Sequence, residues 1–244
     1  MKTVLVLGGT GATGRLVVQN LLEQGHKVIA IVRREHECLQ PYTQMENYQQ
    51  IIASISEMKV ETLMPHMNKC DAVMICLGHN LTFNGIYKEP RKLVTGAVQL
   101  CKQTIEQLQT TKKIKVMLMV SSGVSNRDIQ ESAPVSQRLA VGLIRTLLPP
   151  HADNEQAADV LRVEVGQEHD QIEWVAVRPD ALTNDMEHAY DMYISPIRNV
   201  IFNSGKTSRM NVARVMTDML DDDLLWSNWR GQMPVVYDNM AAPS

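Results

Sequence analysis

The sequence predicts an α/β protein built on a doubly wound parallel sheet, and three observations carry that prediction. Short apolar runs of strand length alternate with stretches of helical spacing as far as residue 180. The first run leads directly into a glycine-rich turn, and later runs end in arginine, glycine or serine. Right-handed crossovers place the carboxyl ends of parallel strands on one edge of a sheet, so these residues are expected to converge there.

The first predicted element is a strand, Val4–Leu7, which enters the turn Gly8–Gly14 and then a helix that stops at Gly25. In a turn with glycine at every third position, one glycine permits the bend. Another admits a pyrophosphate to the backbone, and a third lets helix and strand pack closely. Backbone amides and the positive end of the helix dipole favour an anion. The turn therefore predicts a dinucleotide site, with its contacts at Gly8, Thr10, Gly11, Ala12, Thr13 and Gly14.

The second predicted strand, Lys27–Val32, is followed by Arg33 and Arg34. Dinucleotide folds that prefer NAD usually carry an acidic residue here, which holds the ribose 2′-hydroxyl. A guanidinium instead suits bidentate contact with a 2′-phosphate. The sequence therefore favours NADP(H), with Arg33 as the first contact, although the two arginines could also only solvate the strand end.

The later elements alternate as a parallel sheet requires. Residues 35–50 form a variable loop with room for a short helix. After it we expect strands over 50–55, 71–78, 114–120 and 172–178, and helices over 60–67, 90–108, 134–148 and 153–165. Further cofactor contacts are expected at the strand ends, at Leu77, Gly78, His79, Ser121 and Pro179; His79 could equally only cap its loop.

The alternation stops after Asp180. Residues 181–208 are loop-rich, and an amphipathic helix with Asn211 as its cap follows them. The acidic run Asp221–Asp223 suits a helix start better than a helix end, so we expect a break and a new short helix there. A final strand is predicted over 233–237. We interpret residues 1–244 as one domain, with about 181–244 as a small C-terminal lobe on the substrate side.

Bulk composition narrows the function classes. A net charge of -3 gives no reason to expect nucleic acid or a membrane surface as a partner. No apolar run reaches membrane-spanning length, and the chain begins directly with a strand, so we expect no signal peptide. The four cysteines lack a Cys-x-x-Cys pair and fit a reducing cytoplasm. No His, Cys, Asp or Glu cluster has metal-ligand spacing, so no metal is expected.

Several of these motifs together resemble a known group of enzymes. They are the glycine turn, Val32–Arg34, Leu77–Gly78, Ser121–Gly123, Arg178–Thr183 and Gly231–Val235. In this order they resemble the atypical short-chain dehydrogenase/reductases, in the flavin reductase and biliverdin reductase B-like branch with its NmrA-like relatives. The resemblance implies one Rossmann-like domain that uses NADPH, with Arg33 reading the 2′-phosphate.

The catalytic residues follow from the same resemblance. Alcohol-oxidising short-chain dehydrogenases use Tyr-x-x-x-Lys, and none of the six tyrosines here has lysine four positions on. The branch does not need that pair, because its site mainly holds two rings together for hydride transfer. Its strand-end serine matches Ser122, with Ser121 a weaker alternative, and its Asp-His pair matches Asp153–Asn154. Asn cannot donate a proton as imidazolium does, so His151 is the substitute candidate.

Each catalytic candidate also has a structural interpretation. Strand-end serines often satisfy backbone groups, and a histidine after two prolines is often a surface residue. Two functions therefore stay open: an NADPH-dependent reductase of a small conjugated acceptor, flavin-like or quinone-like, and an NADP(H)-sensing regulator without turnover. The expected partner of the reductase is a small molecule, and the protein is expected to be a monomer or homodimer.

Overall fold

The computed structural model describes residues 1–78, 92–108, 110–129, 131, 149–199 and 203–239. Its strands, in chain order, are β1 Thr3–Leu7, β2 Lys27–Val32, β3 Tyr48–Ile52, β4 Ala72–Ile75, β5 Ile114–Met119, β6 Ile172–Pro179, β7 Ala181–Thr183, β8 Ala189–Tyr193, β9 Lys206–Ser208 and β10 Val235–Asn239. Its α-helices are α1 Gly14–Glu23, α2 Val60–Met67, α3 Leu93–Gln107, α4 Pro149–Asp159, α5 Arg209–Asp221 and α6 Asp223–Trp229.

The main sheet confirms the predicted doubly wound architecture. Its strand order is β3-β2-β1-β4-β5-β6-β10-β8, and every pairing is parallel except that between β10 and β8. The chain builds outward from β1 to β3, then returns to the other side of β1 and continues from β4. Leu7 pairs with Ile31 on one side and with Ile75 on the other. The direction of winding therefore reverses at the end of β1, which is where such folds bind their ligands.

Two apolar layers cover the two faces of the sheet. Leu5 and Leu7 belong to the cluster that includes α2, α3 and α4, whereas Val4 and Val6 belong to the cluster that includes α1, α5 and α6. Successive side chains of a strand point to opposite faces, so one uninterrupted apolar run can fill both layers. The continuous apolar strands of the sequence are therefore strands with helices on both sides.

The third strand is two residues earlier than predicted. β3 pairs with β2 from Tyr48 to Ile52, and Ala53 ends the ladder by donating its amide to the carbonyl of Val32 at 2.8 Å. Ile55 is buried in a short 3₁₀ turn, Ile55–Glu57, instead of in the strand. Its apolar character reflects burial in that turn, which periodicity alone could not distinguish from a strand.

Two helix boundaries also differ from the predictions. The cap of α5 is Ser208, whose Oγ accepts the amide of Asn211 at 3.0 Å, so the predicted cap Asn211 lies inside the helix. Asn211 instead donates its side-chain amide to Asp238 at 2.7 Å. The helix predicted over 153–165 begins at Pro149 and becomes π-helical over Val160–Val165.

The other predictions for the C-terminal part have mixed outcomes. The helix break at the acidic run is confirmed, because Asp222 accepts the amides of Leu224 and Leu225 at the start of α6. The final strand lies at Val235–Asn239, and the short strands β7, β8 and β9 were not predicted. The helix predicted over 134–148 and the loop after Gly78 lie outside the described residues.

Candidate functional site

The glycine turn has the geometry that the motif requires. Gly8 has a φ of +84°, and a methyl group on it would lie 2.5 Å from the carbonyl oxygen of Cys76 at the end of β4. A methyl group on Gly14 would overlap the carbonyl oxygen of Gly8. The amide of Gly11 donates to that same carbonyl at 2.9 Å and closes the turn. The close packing of helix, turn and β4 therefore requires glycine at both positions, as in a phosphate-binding turn.

A groove of about 300 Å³ opens beside this turn at the carboxyl edge of the sheet. The residues around it come from the ends of four adjacent strands: β1, β2, β3 and β4. Seven of the predicted cofactor contacts line it, namely Gly8, Thr10, Gly11, Arg33, Arg34, Leu77 and Gly78. Ala12, Thr13 and Gly14 are not among the lining residues: Ala12 is exposed, and Thr13 and Gly14 are buried at the start of α1. His79 lies outside the described residues. The groove and the turn together fit a dinucleotide.

Sequence reasoning missed three polar residues of the groove: His36, Ser54 and Ser56. The two serine hydroxyls are 2.9 Å apart, and Nδ1 of His36 accepts the amide of Cys38 at 3.2 Å. Both serines follow the true end of β3, so they occupy the same edge as Arg33. A strand prediction that stopped at Ile52 would have identified them, since residues after a strand end face that edge.

Ser122, at the end of β5, is engaged in a buried hydrogen-bond network. Its Oγ donates to Oδ1 of Asp180 at 3.0 Å, and its amide donates to the carbonyl of Pro179 at 2.9 Å. Oδ2 of Asp180 accepts the amide of Gly205 at 2.8 Å. Burial raises the pKa of Asp180, and these hydrogen bonds partly oppose the shift. A serine has one hydroxyl proton, so in this arrangement Ser122 can accept from a ligand but has no second proton to donate.

Ser121 has a different neighbourhood. A methyl group on Gly123 would lie 3.6 Å from Oγ of Ser121, 3.3 Å from Cε1 of His151 and 3.8 Å from Nδ1 of that histidine. Because Gly123 has no side chain, the imidazole of His151 can approach the backbone just after β5. Ser121 and the substitute candidate His151 thus both lie near Gly123, just after the end of β5.

Asp153, the match to the acidic residue of the resembling family, has a structural role. Its two carboxylate oxygens accept the amides of Val94 and Thr95 at 2.8 and 3.0 Å. The hydroxyl of Thr95 donates back to the carbonyl of Asp153 at 2.9 Å. Asp153 thus caps the amino end of α3 and fixes α3 next to the groove, which Leu93 lines.

Arg178 joins several segments at the end of β6. Its guanidinium is fully buried and donates to the carbonyls of Val124, Met233 and Ile194 at 2.6 to 3.0 Å. It also pairs with Glu131 at 2.6 Å. Three segments far apart in sequence, around 124–131, 194 and 233, are therefore held at the end of β6.

Among the described ranges, no group of three or more His, Cys, Asp or Glu side chains is arranged to hold a metal ion. Within the same part of the chain, every helix is too short or too polar to span a bilayer.

The strand order, the glycine turn and the groove define a class, that of Rossmann-type dinucleotide-binding proteins. Within that class, residues 8–223 match the model of a family described as NAD(P)H-binding, and the chain belongs to that family. A nicotinamide dinucleotide is therefore its cofactor class, as the sequence predicted.

One curated relative is the photosystem II assembly factor Ycf39 of Synechocystis, which is 37% identical over 71 residues. That alignment covers 29% of this chain and 21% of the relative, so the chain matches about a fifth of that protein's length.

Solved structures share the fold over almost the whole chain. A Rossmann-fold NAD(P)-binding protein from Shigella flexneri has a TM-score of 0.64 at 20% identity, covering 100% of this chain and 97% of its own. The anaerobilin reductase ChuY from Escherichia coli O157:H7 has a TM-score of 0.65 at 13% identity, with 99% and 100% covered. A candidate NADH-flavin reductase from Streptococcus pneumoniae has a TM-score of 0.65 at 17% identity, with 98% and 100% covered. These findings confirm the fold and agree with the resemblance to the atypical short-chain dehydrogenase/reductases.

Proposed function

We propose that this protein is an NADP(H)-dependent reductase that transfers hydride to a small conjugated acceptor of flavin or quinone type. The observation that carries the proposal is that the groove ends at β4, next to the strand end at which Ser121 and His151 both lie near Gly123. The groove ends at Leu77 and Gly78 after β4, and those two residues lie near the end of β5, the next strand of the sheet. A dinucleotide in the groove would thus present its nicotinamide near polar groups that face an acceptor.

Each part of the groove has a proposed contact. The glycine turn, including Ala12 and Thr13, receives the pyrophosphate at the amino end of α1. Arg33 and Arg34 bind the 2′-phosphate. Leu77 and Gly78 adjoin the ribose and nicotinamide, and His79, Ser121 and Pro179 flank the ring. When bound, the cofactor supplies hydride from its nicotinamide, and the protein supplies binding, orientation and electrostatics.

Preference for NADP(H) is supported by charge at the end of β2. Two guanidiniums and His36 line that part of the groove, and no acidic side chain lines the groove among the described residues. Arg33→Ala should weaken NADP⁺ binding about 10-fold to 100-fold, because a charge-assisted hydrogen bond contributes about 1.5–3 kcal/mol. NAD⁺ binding should change less than about twofold. Calorimetry with both nucleotides measures this. The control is Arg230→Ala, which removes an arginine that pairs with Glu173 near the amino end of β6. Equal affinities of the wild type for the two nucleotides would contradict the proposal.

Turnover is tested by stopped-flow loss of NADPH absorbance with FMN and a panel of quinones. Reduction of at least one acceptor is the expected result, and failure with every acceptor would overturn the reductase assignment. We propose that the enzyme acts in the cytoplasm, because its free cysteines at 38, 70, 76 and 101 suit a reducing compartment. We also propose that it is a monomer or homodimer.

A second candidate function is an NADP(H)-sensing regulator. Two residues matched to catalytic positions serve the fold instead: Asp153 caps α3, and Ser122 donates its hydroxyl hydrogen bond to Asp180. Neither observation affects the cofactor groove. A partner captured only when cofactor is bound, together with no turnover of any acceptor, would favour this function.

A further inference from the structure

A second cavity, of about 360 Å³, lies where β8, β9 and the end of β10 meet. It shares no lining residue with the cofactor groove, which β1 to β4 surround. Ligand pockets range from about 300 to 1,000 Å³, so a cavity of this size suits a small molecule of one or two rings. No contact of the proposed cofactor site accounts for it.

The phenol of Tyr237 is the feature of this cavity that points to a ligand. Tyr237 is 6% exposed, and its buried Oη has no hydrogen-bond partner among the described residues. The amides of Ile197 and Arg198, two residues of the same cavity lining, act on this oxygen without completing a hydrogen bond. Burial and the charge of Asp180 raise the pKa of Tyr237, so the phenol keeps its proton at neutral pH. A buried hydroxyl without a partner is costly, and a ligand that accepts its proton would remove that cost.

The ring of Tyr237 is held by close packing. A methyl group on Gly205 would lie 2.3 Å from Cδ1 of the ring, so the ring rests directly on the Gly205 backbone. Tyr193 meets the ring edge to face, with centroids 5.8 Å apart. Both tyrosines line the cavity. The cavity therefore has a fixed aromatic wall, formed by Tyr193 and Tyr237, and this wall suits a planar ring.

The charged groups around the cavity favour an anion. Its lining includes two cations, Arg198 and Lys206, and two carboxylates, Asp191 and Asp238. Asp238 already accepts three hydrogen bonds from the start of α5, at 2.7 to 3.0 Å. Asp180, next to the lining, also accepts hydrogen bonds on both of its oxygens. Two cations are thus set against Asp191, the remaining carboxylate of the lining.

We propose that this cavity binds a small aromatic carboxylate. Its ring lies against the aromatic wall, and its carboxylate accepts the hydroxyl proton of Tyr237 in a hydrogen bond and pairs with the guanidinium of Arg198. Arginine suits this role because its planar fork matches a carboxylate, and Lys206 adds a second positive charge. Binding requires neither the cofactor nor turnover, so the proposal goes beyond the reductase function.

Two hydrogen bonds join this cavity to the end of β5. The amide of Gly205 donates to Oδ2 of Asp180 at 2.8 Å, and Oγ of Ser122 donates to Oδ1 at 3.0 Å. The carboxylate has two possible sources, an acidic group of the acceptor itself or a separate effector that alters turnover. Both sources present the same chemistry to Tyr237 and Arg198.

The first experiment measures binding to the protein without cofactor. The probes are 2-naphthoate and 2-naphthamide, which share a shape but differ in charge. By calorimetry, naphthoate should bind about 10-fold more tightly than the amide, and it should shift the amide NMR signals of Ile197, Arg198 and Gly205. Absence of naphthoate binding, or equal affinity for the two probes, would overturn the proposal. So would loss of naphthoate binding when NADP⁺ is present at saturation, because the probe would then occupy the cofactor groove.

Tyr237→Phe separates a ligand-binding role from a structural one. It should weaken naphthoate binding about 10-fold without lowering the free energy of unfolding, because the deleted hydroxyl has no partner among the described residues. The control is Tyr48→Phe, which removes a hydrogen bond to Gln50 at 2.9 Å. That variant should lose stability but keep its naphthoate affinity within about twofold. If Tyr237→Phe loses stability and binds naphthoate normally, the hydroxyl is structural and the proposal is wrong.

Arg198→Gln tests the charge at an exposed position, where replacement should leave the fold intact. Naphthoate affinity should fall about 10-fold or more, while naphthamide affinity stays within about twofold. Arg230→Gln removes an exposed arginine that pairs with Glu173, and it should leave both affinities unchanged. Unchanged naphthoate affinity in Arg198→Gln would refute the carboxylate contact.

Steady-state kinetics with FMN or a quinone distinguish the two sources. Naphthoate that competes with the acceptor identifies the cavity as the place of an acidic group on the acceptor. Naphthoate that changes kcat without competing identifies an effector, and either effect should weaken in Tyr237→Phe. If no acceptor is reduced, the reductase function fails while the binding measurements still decide this proposal.

Discussion

The two ends of the sheet edge position their functional groups by different means. On the cofactor side, the backbone conformation positions the binding groups: Gly8 bends the chain, and Gly14 allows α1 to pack against the turn. Around the end of β6, buried polar side chains position the neighbouring segments: Arg178 and Asp180 each join segments that are distant in sequence. The first arrangement depends on the absence of side chains within one short stretch. The second depends on side chains that meet their partners only in the folded protein.

The largest expected effect comes from the end of β6. Arg178→Met removes a fully buried guanidinium and leaves Glu131 with an uncompensated charge. Breaking one partner of a buried ion pair costs about 3–5 kcal/mol. Urea unfolding should show a loss of that size. Arg230→Met, which removes an exposed arginine from its pair with Glu173, should cost less than about 1 kcal/mol. A similar cost for both variants would show that the buried Arg178 pair contributes no more to stability than the exposed Arg230 pair.

On the cofactor side, the expected effect is smaller in stability but direct in binding. Gly14→Ala places a methyl group against the carbonyl of Gly8, so α1 must move away from the turn. Such overpacking costs about 1–3 kcal/mol, and NADP⁺ affinity should fall about 10-fold or more. The matched control is Gly96→Ala inside α3, where nothing lies within 4 Å of the new methyl group. That variant should be neutral or more stable by about 0.5–1 kcal/mol. Calorimetry and thermal unfolding measure both, and unaltered NADP⁺ binding by Gly14→Ala would break the comparison.

The smallest effects distinguish two carboxylates by the sign of their pH dependence. Burial alone would raise the pKa of Asp71, but hydrogen bonds from Lys112 and the Thr3 amide and the charges of Lys112 and Lys2 lower it. Its contribution to stability is therefore present above the ordinary carboxyl pKa and lost as pH falls through the folded value. Burial raises the pKa of Asp180 instead, so its contribution is present at low pH and lost as pH rises through the folded value.

The variants Asp71→Asn and Asp180→Asn test these signs. At pH 7, Asp71→Asn should lower the free energy of unfolding by about 1.5 kcal/mol, with the deficit shrinking in acid. The advantage of the wild type over Asp180→Asn should instead shrink as pH rises. Urea unfolding from about pH 3.5 to 7.5 measures both differences. Two differences that change in the same direction would contradict the opposite shifts.

How much the sequence predicted also differs between the two sides. The glycine turn, the arginines after β2 and the order of β1 to β6 were predictable because neighbouring residues encode them. The missed groove serines, Ser54 and Ser56, depended on where β3 ends, and Ile55 is apolar for burial rather than for strand pairing. The cap of α5 was predicted to be Asn211 because the sequence alone could not show that this side chain pairs with Asp238 on β10.

The sequence by itself determined the doubly wound sheet, the dinucleotide turn and the strand-end residues after β1, β2 and β4. These features follow from local periodicity and from backbone conformations that only glycine adopts readily. Tertiary structure alone decided that Ser122 donates its hydroxyl hydrogen bond to Asp180, that Asp153 caps α3, and that His151 approaches Gly123. Each of these contacts joins residues from separate elements, and only the packing of β5, β6, α3 and α4 brings them together.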